Sequence, residues 1–130
     1  MKIQRLVTNI CSDQVALSKD FYVKLLGLEV RFDSDWFVNL GSKDSNYEIG
    51  IVQRDHEIVP KDFQQSPRGF YLTFVVESAD EAYRIAQEEG FTVVQAPHDT
   101  FYGQRRLLLQ DPDGALVDIS SLIPDFQFGG

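Results

Sequence analysis

Hydrophobic and polar positions follow the same order twice along the chain. Each half begins with an apolar run, IQRLVTNI (3–10) or FYLTFVV (70–76), and the alternation in the first run is typical of a half-buried strand. Apolar residues at helical spacing follow in each half, and a glycine, Gly27 or Gly90, then supplies the left-handed stop. Three further strand-like runs complete each half. The pattern therefore predicts a strand–helix–three-strand (βαβββ) module that occurs twice.

The two predicted helices have different start signals. Ser12 or Asp13 can cap the first helix, and Ser78 with Glu81 forms a capping box for the second. The predicted apolar stripe of the first helix consists of Leu17, Phe21, Leu25 and Leu28. That of the second consists of Ala79, Ala82, Tyr83 and Ala86.

A polar segment with two prolines, Pro60 and Pro67, connects the halves. Each half is too short to bury its own apolar face, so we expect one domain spanning residues 1–130. Its predicted parts are a first module (about 3–54), a connection (55–68), a second module (about 69–122) and a C-terminal tail (123–130). The predicted fold class is α+β, with two βαβββ modules that pair their curved mixed sheets around a cavity.

Composition narrows the class of partner. The 12 basic and 20 acidic side chains give a net charge of −8, which argues against nucleic acid and anionic membrane surfaces as partners. The single cysteine, Cys11, excludes an intrachain disulfide. No window approaches the roughly 20 apolar residues of a membrane span, and the N-terminus lacks a signal-peptide pattern. We therefore expect a cytoplasmic protein.

Two strings, FYVKLLGLEV (21–30) and DPDGALVDI (111–119), together with the duplicated module, resemble the vicinal oxygen chelate superfamily. That superfamily includes glyoxalase I, extradiol dioxygenases and drug-binding proteins of the bleomycin-resistance type. The resemblance covers about residues 3–122. Two further strings, DSDWFVNL (33–40) and YGQRRLLLQDPDG (102–114), are similar to a branch of small glyoxalase-like proteins. It implies the paired-module fold and a homodimer.

The resemblance also implies where a metal would be bound. Metal-dependent members place one ligand, commonly His, in the first strand of each half and one, commonly Glu, in the last. The positions that correspond are Leu6, Glu48, Tyr71 and Asp118, with same-face neighbours Thr8, Gly50, Thr73 and Ser120. Both imidazoles are missing, and transition metals in such sites usually need nitrogen ligands. We therefore predict neither a metal nor any other cofactor.

Asp118 lies between Val117 and Ile119, so its side chain is expected on the opposite face, toward the cavity. A buried carboxylate needs a partner. Arg105 or Arg106 can pair with it, or a polar or cationic ligand can contact it directly. Only one of these two adjacent arginines can enter the cavity.

His98 and Glu48 are the candidate general bases. His98 is expected in a polar loop (95–103) that also contains Phe101 and Tyr102 and borders the predicted cavity mouth. Six aromatic residues suit stacking on a flat ligand, although core packing is open for each: Phe32, Trp36, Phe37, Tyr71, Phe101 and Tyr102. Trp36 and Phe37 are adjacent and point to opposite faces, so one of them is expected in the core. The predicted ligand-binding set is Thr8, Trp36, Glu48, Tyr71, Phe101, Tyr102, Arg105 and Asp118.

Three functional hypotheses follow. The leading one is metal-free binding of a small, partly apolar organic molecule, with a cationic group, neutralised by Glu48 and Asp118, as one option. The alternative is a glyoxalase-like lyase or isomerase with a weak divalent metal site at Glu48 and Asp118. The third is a structural or regulatory dimer whose cavity is filled by Leu6 and Tyr71. Phe126 and Phe128 of the tail are expected to dock on the domain or on a partner subunit.

Overall fold

The structure, a computed structural model, describes residues 1–44 and 46–124. The chain divides into two compact units, Met1–Pro67 and Arg68–Gly130. The division falls at the end of the predicted connection. Phe126 and Phe128 lie outside the described residues.

Unit one contains one four-stranded sheet and one α-helix. Its elements are β1 (Val7–Ser12), α1 (Val15–Leu26), β2 (Glu29–Asp33), β3 (Phe37–Gly41), β4 (Glu48–Gln53) and a short 3-10 helix (Lys61–Phe63). The strand order is β1-β4-β3-β2, with β1 parallel to β4 and the other pairs antiparallel. The parallel pair is possible because α1 provides the crossover between β1 and the rest of the sheet.

Helix α1 packs on one face of this sheet, against β3 and β4. Phe21, Tyr22 and Leu25 are buried on the helix. The predicted stripe is wrong at Leu17, which is exposed. The cap also differs, because the N-cap residue is Gln14 and makes no side-chain capping bond.

Unit two repeats the arrangement. Its elements are β5 (Leu72–Val75), α2 (Ala79–Glu89), β6 (Thr92–Asp99), β7 (Gln104–Gln110) and β8 (Leu116–Leu122), and the strand order is β5-β8-β7-β6. The Ser78 hydroxyl accepts a hydrogen bond from the Glu81 amide at 3.1 Å, as the capping box predicts. The Glu81 side chain, however, accepts hydrogen bonds from Arg84. Three small residues on α2 are buried: Ala79, Ala82 and Ala86.

Both helices end as predicted. Gly27 and Gly90 adopt left-handed conformations, with φ of 65° and 72°. The α+β class and the βαβββ order of each half are thereby confirmed. How the modules pair around a cavity stays a prediction. Among the described residues, neither α-helix has the length and hydropathy that crossing a bilayer requires.

In each sheet the side chains alternate between the face under the helix and the opposite one, which we call the open face. In unit one, Ile10, Val38 and Ile51 are buried and share the helix-side register. Residues of the other parity, such as Asn9 and Asn39, therefore lie on the open face. This parity decides which of the predicted site residues can meet a ligand.

Candidate functional site

A groove of about 700 Å³ lies on the open face of unit one. It is lined by Gln4, Arg5, Val7, Asn9, Arg31, Phe32, Phe37, Asn39 and Glu48. The lining combines amide groups, two aromatic rings and three charged side chains. Such a mixture of apolar surface and a few polar groups is typical of small-molecule sites.

Glu48 is the buried charge of this groove. Its side chain is only 3% exposed, and both carboxylate oxygens accept hydrogen bonds from Arg5. The Nε–Oε2 and Nη2–Oε1 distances are both 2.5 Å, so the contact is bidentate. Arg5 lies in the segment before β1, and its side chain remains 65% exposed. A buried acid at the start of β4 is thus neutralised by a guanidinium from the chain N-terminus.

A second guanidinium, that of Arg31, approaches the same carboxylate. Its Nη1 lies 3.9 Å from Oε1 of Glu48, and its Nη2 donates to the Ser42 carbonyl. Arg31 sits where the register between β2 and β3 shifts, an irregularity that redirects side chains. Its guanidinium also crosses Gly41, where an added Cβ would lie 2.7 Å from Nε.

These contacts set the protonation of Glu48. The hydrogen bonds from Arg5 lower its pKa, outweighing the opposing effect of burial, and Asn39 and Arg31 lower it further. The same bond raises the pKa of Arg5. A carboxylate with a lowered pKa is a weak proton acceptor, so the geometry disfavours Glu48 as a general base. Because both carboxylate oxygens of Glu48 already accept hydrogen bonds from Arg5, the structure also disfavours Glu48 as the partner of a cationic ligand.

The floor of the groove requires a glycine at position 50, because a side chain there has no space. Gly50 on β4 pairs with both Asn9 and Asn39. A Cβ at Gly50 would lie 2.0 Å from Oδ1 of Asn9 and 3.1 Å from a ring carbon of Phe37. The amide and the ring therefore close over the glycine, and they form the surface that a ligand would meet.

The open face of unit two carries a separate polar cluster around Asp118, whose side chain is 6% exposed. Asp118 accepts hydrogen bonds from Ser120 at 2.7 Å and Thr73 at 3.1 Å. The Nε of Arg106 lies 3.3 Å from Oδ2 of Asp118, which makes an ion pair, but the two groups are not oriented for a hydrogen bond. The Arg106 guanidinium is 6.0 Å from the centroid of the Tyr71 ring. Asp118 is thus held by protein partners. This agrees with the first of the two alternatives given for it, in which Arg105 or Arg106 pairs with the carboxylate.

Arg105 lies on the opposite face from Asp118. It donates to Asp80 at 2.9 Å and to Asp99 at 3.0 Å. Its place in the predicted ligand-binding set therefore does not agree with the strand parity, and Arg106 is the arginine that shares a face with Asp118. His98 lies in β6 and not in a loop as predicted, because β6 extends to Asp99. It pairs with Arg106 of β7 and is half-buried, so it borders the Asp118 cluster.

Strand parity also corrects the prediction of which residues of the first strand, β1, face a ligand. Leu6 precedes β1 and is exposed, whereas Thr8 pairs with Ile49 on the face under α1 and does not line the groove. The open-face residues of β1 are instead Val7 and Asn9. Ile10, which is buried, belongs to the same parity as Thr8 and carries the signal that could have shown this.

The strand pairing also changes which residue of β4 corresponds to Asp118 of β8; the sequence predicted Glu48. Asn9 and Thr73 each precede the following helix by six residues (15 − 9 and 79 − 73). Asn9 pairs with Gly50, and Thr73 pairs with Asp118. The counterpart of Asp118 is therefore Gly50, and Glu48 lies two residues earlier in its strand.

The predicted aromatic residues do not share one surface. Trp36 stacks on His56, with ring centroids 3.9 Å apart, and does not line the groove. Its neighbour Phe37 does. In unit two, Phe101 and Tyr102 pack edge to face in the turn after β6, and Phe101 is almost fully exposed. The groove rings, Phe32 and Phe37, are among the six aromatic candidates for stacking but not in the predicted ligand-binding set.

The side chains present do not fit the four-ligand metal site that the resemblance implies. No imidazole occupies either first strand, Glu48 is held by two arginines, and Asp118 is held by Thr73, Ser120 and Arg106. Within residues 1–44 and 46–124, no cluster of three or more His, Cys, Asp or Glu side chains is arranged to hold a metal.

Two residues that define the groove, Arg5 and Arg31, were missed by sequence reasoning. Arg5 lies before the first strand, where no periodicity assigns a direction to its side chain. Arg31 lies at a register shift, which breaks the alternation that would otherwise place it. No local signal indicates that either arginine would reach Glu48.

Comparison with solved structures supports the fold. A glyoxalase/bleomycin resistance protein/dioxygenase family enzyme from Burkholderia phytofirmans PsJN is 22% identical with a TM-score of 0.77, covering 90% of this chain and 97% of that one. A superfamily member from Sphaerobacter thermophilus DSM 20745 is 24% identical with a TM-score of 0.69, covering 93% and 97%. A hypothetical protein from S. aureus is 20% identical with a TM-score of 0.75, covering 93% and 95%. At these identities the likeness concerns the fold alone.

Comparison of the sequence with protein families gives a broader match. No curated protein matches the chain significantly. The model of the Glyoxalase/Bleomycin resistance protein/Dioxygenase superfamily matches residues 2–119, which include both βαβββ modules except the last three residues of β8. The chain therefore belongs to the glyoxalase/bleomycin resistance protein/dioxygenase superfamily.

Proposed function

We propose that this protein binds a small, partly apolar organic molecule in the groove of unit one, and that it does so without a resident metal. The observation that carries the proposal is the groove itself. Two phenyl rings, three amide side chains and a neutralised carboxylate surround about 700 Å³, a volume suited to a small ligand.

The lining supports binding rather than proton transfer. Glu48 would be the natural base of the groove, but its pKa is lowered by the hydrogen bonds from Arg5. The alternative, a lyase or isomerase with a weak metal at Glu48 and Asp118, requires both carboxylates to exchange arginine and hydroxyl partners for an ion. We therefore favour the binding function.

The first experiment is an NMR titration of ¹⁵N-labelled protein with small aromatic fragments. We expect shifts to cluster at Asn9, Asn39 and Phe37. Phe37→Ala should weaken binding because it removes one apolar wall. Phe101→Ala is the matched control, since it makes the same substitution at an exposed ring in unit two. Absence of any clustered shift on the open face of unit one would refute the proposal.

The metal-free part of the proposal has its own test. Protein purified without chelator is analysed for bound elements, and thermal melts are recorded with added Mg²⁺, Mn²⁺, Ni²⁺ and Zn²⁺. We expect no stoichiometric metal and no stabilisation that depends on Glu48 or Asp118. A divalent ion that is lost in Glu48→Gln or Asp118→Asn would overturn this part and favour the metal-dependent enzyme.

The homodimer and the cytoplasmic location expected from the sequence stay predictions. Light scattering coupled to size-exclusion chromatography measures the first directly. Fractionation of the producing cells measures the second.

A further inference from the structure

We propose that the groove selects organic acids over neutral and cationic molecules of the same shape, and that Arg5 is the residue that binds the acid group. This inference rests on the proposed ligand-binding function and names its ligand class. It reverses the expectation that a cationic group is one option for the ligand.

The local charge of the groove has the opposite sign to that of the chain. Its lining contains two guanidinium groups, those of Arg5 and Arg31, against one carboxylate, that of Glu48. The chain as a whole carries a net charge of −8. A positive excess on a concave surface attracts anions at short range even where the distant field is negative.

The geometry of Arg5 leaves an edge of its guanidinium toward solvent. A guanidinium has five N–H donors in a rigid fork, and Arg5 directs its Nε and Nη2 at Glu48. Among the described contacts, its Nη1 makes no hydrogen bond. The outer edge formed by Nη1 and Nη2 matches the spacing of a second carboxylate, which can bind it bidentately.

Glu48 acts in this arrangement as a positioning residue. Its two oxygens fix the plane of the Arg5 guanidinium, and its buried charge holds Arg31 at 3.9 Å. Because Arg5 is held in one orientation before a ligand arrives, less side-chain entropy is lost when an anion binds. Glu48, which the sequence made a candidate metal ligand, thus holds two arginines in this structure.

The rest of the ligand is defined by the rings. Phe32 and Phe37 lie with centroids 6.1 Å apart and planes inclined by 39°, and both line the groove. This apolar wall suits a flat hydrocarbon body, while Asn9 and Asn39 can hydrogen-bond to polar substituents. The ligand class is therefore a small carboxylic acid with a planar apolar body.

Three isosteric probes test the inference: benzoate, benzamide and benzamidine, which share one planar frame and are negative, neutral and positive at neutral pH. Each is titrated into ¹⁵N-labelled protein, and the dissociation constant is taken from shifts at groove residues. We expect benzoate to bind about tenfold more tightly than benzamide, the gain of one charge-assisted hydrogen bond over a neutral one. Benzamidine should bind more weakly than either.

Arg5→Gln should reduce benzoate binding to the level of benzamide, and Arg5→Lys, which keeps the charge but loses the fork, should fall between. Arg84→Gln is the matched control, because it removes one positive charge from α2, where Arg84 pairs with Glu81 and Glu88. It should leave the benzoate preference unchanged. Preserved dispersion of the NMR spectrum shows that each variant is folded.

The outcomes separate the two proposals. If benzamide or benzamidine binds at the groove as tightly as benzoate, the selection of acids is refuted while the binding function stands. If benzoate keeps its preference in Arg5→Gln, the assignment of Arg5 is refuted. If none of the three probes shifts a groove residue, the proposed function fails first, and the inference fails with it.

Discussion

The Asp118 cluster of unit two gives the sharpest stability prediction. Asp118→Leu removes an acceptor for Thr73 and Ser120 and leaves the Arg106 guanidinium without its ion-pair partner. Breaking one side of a buried ion pair costs about 3–5 kcal/mol. Because the Arg106 side chain is 22% exposed and water can solvate part of it, we expect the lower range, about 2–4 kcal/mol.

The double variant Arg106→Met/Asp118→Leu provides the internal control. Apolar residues of similar size in place of both partners leave no buried charge, so the double variant should recover most of the loss. The remaining loss reflects the Thr73 and Ser120 hydroxyls, which lack their acceptor in both variants. The difference between the single and double variants isolates the penalty of the unpaired guanidinium. Packing changes common to both variants cancel in that difference.

Urea unfolding followed by far-ultraviolet circular dichroism measures these free energies by linear extrapolation. Trp36 is the only tryptophan and lies in unit one, so its fluorescence reports on that unit, whereas dichroism reports on both. Coincident transitions by the two probes justify a two-state treatment. A loss below about 1 kcal/mol for Asp118→Leu, or a double variant as unstable as the single one, would refute the reasoning.

Three further predictions concern other positions. Gly50→Ala should destabilise by about 1–2 kcal/mol in urea, because the new methyl group meets the Asn9 amide, and adding Asn9→Ala should recover most of this; a neutral Gly50→Ala would contradict the packing. The lowered pKa of Glu48 means that it stabilises the fold above the unfolded-state pKa of about 4.3 and that this contribution is lost as pH falls through the folded-state value. Stability measured from pH 6 to pH 3 should therefore fall less steeply in Glu48→Gln than in the parent, and parallel curves would show that the carboxylate is not held. Ser78→Ala should lower the free energy of unfolding by about 1 kcal/mol and Ser78→Gly by only a few tenths, measured by thermal melts, and equal effects would argue against a side-chain cap.

Much of the backbone could be predicted from local chemistry. Gly27 and Gly90 mark the helix ends because only the left-handed conformation closes those turns. The turn before β8 follows from Asp111, whose side chain accepts hydrogen bonds from the Asp113 and Ala115 amides. Such signals lie within a few residues of their effect, so the sequence carries them directly.

The site was harder to predict because its contacts span the chain. Arg5 and Glu48 are separated by 43 positions, and their pairing depends on β1 lying parallel to β4. The parity of β1 was available from Ile10, but the correspondence to the family favoured Thr8 instead. A shift of one residue in a strand reverses the face of every side chain. Small errors of alignment therefore removed true groove residues and admitted others.

Gly41 has a consequence for how this groove can change. The Arg31 guanidinium rests on its bare backbone, and an added methyl carbon would come within 2.7 Å of Nε and 2.8 Å of Cζ. The charge of the groove is thus linked to a glycine that does not itself line the groove. A homologue with alanine at position 41 would have to move its arginine aside or lose this positive charge from the groove. Related proteins could therefore differ in the charge of the ligand that they prefer because of a single methyl group.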